Sequence, residues 1–160
     1  MSIIKVENLV KKFGNVVAVN DISFDVEEGT IFGFLGPNGA GKTTTISILC
    51  ALLSPTSGRA FVNSFDCMKE SAEVRKSIGI VFQDTTLDKD LTADENLMFH
   101  AYLYKVPKTD RRKRVDDALK FVDLYGRKDD LVKKFSGGMK RRLEVARGLI
   151  HRPAVLFLDE

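Results

Sequence analysis

The 160-residue chain has no run approaching the 18 or more apolar residues of a membrane span; its densest apolar stretch is the short Ile46 to Leu53. Its amino terminus, MSIIKVENLVKK, is charged throughout and lacks the apolar centre of a signal peptide. Cysteine is scarce. Cys50 and Cys67 form no metal or redox spacing, and they read as buried or incidental thiols in a reducing cytosol. Charge of one sign is also lacking, since a net charge of +3 is too mild to argue for a nucleic-acid partner. Repeats, linkers and low-complexity segments are missing. What remains is a cytoplasmic chain long enough for one domain with a real core and short for two.

The first thirty residues read as antiparallel strands, with Ile22, Phe24 and Val26 alternating with polar neighbours and Glu28-Gly29 making a turn. Thr30 to Leu35 (TIFGFL) reads as a buried strand. The segment from Thr44 to Leu53 carries Ile46, Leu49 and Leu53 at helical spacing. Pro55 to Gly58 ends that helix before a short strand, Arg59 to Val62. Ala72 to Ser77 reads as a helical turn or two, and Gly79 to Phe82 as another buried strand. From about Asp84 to Phe135 the chain is helical and rich in charge. Thr92 to Glu95 is a capping box, and Val115, Ala118, Leu119 and Val122 form a stripe closed by Gly126. Ala154 to Leu158 returns to a continuous apolar strand. The fold class is α/β, with an antiparallel β region and a phosphate-loop core over 1–83, a helical insertion over 84–135, and a last helix and strand over 136–160.

Between the expected strand 30–35 and the helix that follows lies Gly36-Pro37-Asn38-Gly39-Ala40-Gly41-Lys42-Thr43, which matches G-x-x-x-x-G-K-[ST] in the strand–loop–helix context that the motif requires. Gly36, Gly39 and Gly41 admit backbone conformations closed to other residues, so that successive N–H groups from Gly39 to Thr44 can turn inward toward a triphosphate at the positive end of a helix. Lys42 would reach the β- and γ-phosphates, and the Thr43 hydroxyl would ligate Mg²⁺. This is a nucleoside triphosphate site.

Val155 to Leu158 ends in Asp159 and Glu160. A strand ending in acids is common by itself. Paired with the Lys42 loop it reads as the metal side of the site, Asp159 holding Mg²⁺ through water and Glu160 polarising the attacking water. Phe135-Ser136-Gly137-Gly138-Met139 opens a helix capped by Ser136, with Met139, Leu143, Ala146 and Ile150 on one side and Lys140, Arg141, Arg142 and Arg147 mostly elsewhere. An N-capped amphipathic helix is ordinary. Its position, 23 residues before Asp159, is what distinguishes it.

Taken together, GPNGAGKTT, Gln83 after GIVF, FSGGMKRRLEVARGLIHRP and VLFLDE resemble the ATP-binding subunits of ABC transporters over the whole chain, in wording similar to the drug-resistance and antibiotic exporters of the daunorubicin type. The resemblance implies ATP and Mg²⁺ as ligands and hydrolysis that drives efflux of a drug, antibiotic or lipid. It implies a second ATP-binding subunit, identical or not, whose bound γ-phosphate is met by Ser136, Gly137 and Gly138. It also implies a separate membrane permease that holds the chain at the inner face of the cell membrane. Gln83 would sense Mg²⁺ and the attacking water. Phe13 falls where the family stacks an aromatic on adenine, although by itself it could equally be core. Phe135 and Met139 replace the family's usual leucine and glutamine without removing Ser136 or the helix-start amides. The family continues beyond the acidic pair to a further strand and a switch histidine. The chain is therefore expected to be part of a longer protein, with strands 30–35 and 155–158 facing a gap.

Two rivals share parts of the motif set: soluble ABC ATPases of DNA repair, chromosome structure or translation, and a nucleotide-binding module without turnover. The interval between loop and signature is short and has no heptads, which disfavours a long coiled coil. The basic runs at Lys108 to Arg114, Lys133-Lys134 and residues 140–142 lack interleaved aromatics and adjoin acids, as a solvated helix face does; no nucleic-acid partner is expected. His100 and His151 read as surface or helix-end histidines.

Overall fold

A computed structural model describes residues 1–82 and 85–158. The chain divides into two compact units, Met1–Ile78 and Gly79–Glu160.

In the first unit, β1 (Ser2–Phe13) and β2 (Val16–Glu27) form a long antiparallel hairpin that closes with Phe13 opposite Val16. The alternation seen in sequence is real: Val26 is buried and Ile22 and Phe24 half-buried, whereas Ser23, Asp25 and Glu27 are exposed. Next come β3 (Ser57–Val62) and the two-residue β4 (Phe65–Asp66), giving an antiparallel sheet in the order β2-β1-β3-β4. Helix α1 (Lys42–Leu49) buries Ile48 and Leu49, and α2 (Ser71–Ser77) buries Val74. Both thiols lie in this core; Cys67 donates to the carbonyl oxygen of Leu49 at 3.6 Å, and burial pushes its pKa up to about 12.

The expected strand 30–35 is not formed. Thr30 to Leu35 carries no ladder, and Ile31 and Leu35 are fully exposed. Apolar content suits a strand, but strand structure itself is pairing, and no described strand lies hydrogen-bonded beside this segment. Its rings gather instead on the hairpin, with Phe32 and Phe34 centred 5.5 and 5.6 Å from Phe24.

In the second unit, β5 (Ile78–Val81) pairs with β6 (Val155–Leu158). Of β6, the apolar strand expected at the end of the chain, Phe157 is buried, Val155 and Leu156 are half-buried and Leu158 is exposed. Helices α3 (Ala93–Leu103), α4 (Lys108–Phe121) and α5 (Gly137–Leu149) enclose one core built on Leu97, Ala101, Val115, Leu119, Leu143 and Ala146. Gly79 brings β5 hard against α5: a Cβ there would lie 2.4 Å from the carbonyl oxygen of Gly148.

The helix ends differ from expectation. Helix α1 stops at Leu49, four residues before Leu53, and α4 stops before Val122 and not at Gly126. Each ends in a Schellman motif built on a residue other than glycine. Leu52 N–H donates to Ser47 and Ala51 N–H to Ile48 after α1; Leu124 N–H donates to Leu119 and Asp123 N–H to Lys120 after α4. The left-handed residues are Ala51 at φ 54° and Asp123 at φ 56°.

Candidate nucleotide-binding site

The phosphate loop occupies the turn before α1. Gly39 and Gly41 take φ values of 84° and 82°, as the motif requires, whereas Gly36 is not in the left-handed region. Gly41 has a second constraint, since a Cβ there would stand 2.3 Å from the carbonyl oxygen of Ala18 on β2. The loop is thereby seated on the hairpin. Gly41 is also the N-cap of α1 and offers no side-chain acceptor, which leaves the first-turn amides of Lys42, Thr43 and Thr44 to a ligand or solvent. Lys42 folds back on the loop, its Nζ donating to the carbonyl oxygens of Gly36 at 2.7 Å and Pro37 at 3.0 Å. Asn38, Gly39, Ala40 and Thr43 are exposed. An exposed threonine hydroxyl at the positive end of a helix, beside a lysine, is a hard oxygen donor that would suit a magnesium ion accompanying bound phosphates. The residues fit the group.

Phe13, at the end of β1, is 49% exposed, with Lys11 Nζ 4.9 Å from its ring centre. It is not core, and its free face can receive a planar ring.

In the second unit, Ser136 caps α5, its Oγ accepting from the Met139 amide at 3.3 Å. Gly137 and Gly138 have nothing within 4 Å of a built Cβ, so the helix start is open to an approaching anion. Below it Met139, Leu143, Ala146 and Ile150 enter the core, as their spacing predicted. Gln83, Asp159 and Glu160 lie outside the described residues.

The basic run 108–114 and Lys133 behave as a solvated face, with Arg112 bridging Asp94 and Asp116, Arg114 paired with Asp110 and Lys133 with Asp90, whereas Arg141, in the run 140–142, donates to the carbonyl oxygen of Phe82. Both histidines stand at helix ends, His100 in the last turn of α3 and His151 just past the end of α5, and both are half-buried. His100 lies partly buried in a stack with Tyr104 and His151, the rings of Tyr104 and His151 centred 3.9 Å apart. Burial, with Arg147 and His151 nearby, holds the His100 pKa down at about 3, so it stays neutral.

One feature was missed in sequence. Glu144 is 2% exposed and belongs to a network that holds residues 85–86 against α5. The available signal was the three-residue spacing of Arg141, Glu144 and Arg147, which puts these charges along one side of the helix.

The family described as ABC transporter matches residues 19–160. The linearmycin resistance ATP-binding protein of Bacillus subtilis is 42% identical over 98% of the chain and 50% of its own length. A methionine import ATP-binding protein of Bacillus cereus is 41% identical over 98% of the chain and 48% of its own. Among solved structures, cbiO1 from Clostridium perfringens, described as part of the ABC transporter complex cbiONQ, superposes with a TM-score of 0.89 at 34% identity, covering 99% of this chain and 65% of that one. The chain spans about half the length of the curated relatives it matches.

Proposed function

The chain belongs to the ABC transporter family, and on that premise we propose that it binds and hydrolyses ATP as the nucleotide-binding subunit of an exporter. The observation that carries the reading is the loop at Gly41: a helix start without a cap, seated by a close glycine contact, beside Lys42. The backbone amides from Gly39 to Thr44 take the phosphates, Lys42 exchanges its two carbonyl acceptors for phosphate oxygens, and Phe13 receives the adenine. Thr43, Gln83 and Asp159, the last through water, hold Mg²⁺, which supplies charge neutralisation at the phosphates. Glu160 polarises the attacking water. Ser136, Gly137 and Gly138 serve the nucleotide of a second subunit. A membrane permease carries the cargo, which places the subunit at the inner face of the membrane.

Export is supported by relatives named for resistance to linearmycin and doxorubicin. The methionine import relative, nearly as similar, makes direction the point to test. In inverted vesicles that carry the full-length protein and its permease, ATP should drive cargo inward, and Glu160→Gln should lower turnover about 10²–10⁴-fold with ATP binding retained. Unchanged turnover in Glu160→Gln would remove the base assignment. Cargo movement in the opposite sense would make the system an importer.

A further inference from the structure

Both flanks of residues 83–84 are tied to one helix. Upstream, Arg141 donates from Nη1 to the carbonyl oxygen of Phe82 at 2.5 Å. Downstream, Glu144 Oε1 accepts from the Thr86 amide at 2.6 Å, the Thr85 hydroxyl at 3.1 Å and the Thr86 hydroxyl at 3.3 Å. Arg147 closes the arrangement, pairing with Glu144 at 2.8 Å and donating to the Thr86 carbonyl oxygen at 3.4 Å. Arg141, Glu144 and Arg147 recur every third residue, so they form one stripe of α5.

The choice of residue is informative. Glu144 is buried between Leu143 and Ala146, both core residues, whereas Thr85 and Thr86 are exposed and outside any helix or strand. A buried ion pair is at best comparable in stability to apolar side chains of similar volume. What a carboxylate does here, and leucine cannot, is accept a backbone amide and two hydroxyls from a segment with no regular structure of its own. The segment is Gln83's own continuation.

We propose that Arg141, Glu144 and Arg147 are positioning residues that set the placement of Gln83 by clamping its two flanks to the helix that starts at Ser136. The inference rests on the proposed role of Gln83 and needs no contact between the clamp and nucleotide.

The test uses the full-length protein with its permease in lipid vesicles and compares Glu144→Gln, Gln83→Ala and the double variant. The readouts are kcat, the Mg²⁺ concentration for half-maximal turnover, and the Kd of a fluorescent ATP analogue. Glu144→Gln should lower kcat about tenfold and raise the Mg²⁺ requirement, with the nucleotide Kd unchanged within about twofold. The double variant should be no worse than Gln83→Ala, because the clamp acts through that residue. Losses that multiply in the double variant would overturn the clamp, as would a normal Mg²⁺ requirement in Glu144→Gln beside an impaired Gln83→Ala. If Gln83→Ala itself has no effect, the reading of Gln83 falls and the clamp with it. Should Glu144→Gln fail to fold, Arg141→Ala cuts the upstream tie alone. It must show the same pattern to a smaller degree, and a normal Mg²⁺ requirement there would equally overturn the proposal.

Discussion

Helices α3 and α1 begin in opposite ways. At Thr92 every local means of satisfying a helix start is present: the Thr92 hydroxyl accepts from the Glu95 amide at 3.1 Å, and the Glu95 carboxylate accepts from the Thr92 amide at 2.7 Å. Asp94 and Glu95 add negative charge to the first turn. At Gly41 there is no side-chain cap, no acid in the first turn, and a lysine where an acid would favour the helix. One start is finished by its own residues, whereas the other is built for a ligand to finish. The start of α5 lies between them, capped by Ser136 but bare at Gly137 and Gly138.

The contrast breaks most severely at Gly41. Gly41→Ala combines a left-handed φ with a collision against Ala18, and should cost about 2–4 kcal/mol and abolish any rise in melting temperature with Mg-ATP. A variant that melts normally and still responds to Mg-ATP would show that the loop is not seated on the hairpin.

A pair of cap removals sharpens the same point. Thr92→Ala should lower stability by about 1 kcal/mol and leave ATP turnover within about twofold. Ser136→Ala loses only a long, exposed hydrogen bond and should cost less than about 1 kcal/mol, yet reduce turnover at least about tenfold. Chemical denaturation and phosphate release on the full-length protein give both numbers. Equal effects on turnover would erase the distinction between a cap that stabilises and a cap that serves a nucleotide.

The smallest effect is expected at a helix end. Asp123→Gly relieves a left-handed aspartate but frees the unfolded chain, leaving a net gain of about 0.5–1 kcal/mol. A loss of stability would mean that the Asp123 side chain contributes something beyond its backbone geometry.

Features set by neighbours in sequence are legible in the sequence itself: the capping box at Thr92, the alternation in β2, the core stripe of α5 and the left-handed glycines Gly39 and Gly41 of the phosphate loop. The fold family followed from the same motifs. Helix ends were not legible, because Ala51 and Asp123 occupy positions where glycine is the usual signal. Thr30 to Leu35 misled for a different reason: composition reports suitability for a strand, whereas pairing depends on what lies beside it. The stripe of Arg141, Glu144 and Arg147 is legible in sequence, but the partners of Glu144 are not, because they stand 58 and 59 residues away, at Thr86 and Thr85. Only folding brings them together.

The two cysteines, Cys50 and Cys67, both sit in the first unit, both buried, and the second unit has none. With its thiol held protonated near neutrality, Cys67 can react with an alkylating reagent only when its surroundings open. The protein thus carries an inbuilt stopwatch: alkylation rates at these positions time the opening of the core that surrounds Cys50 and Cys67.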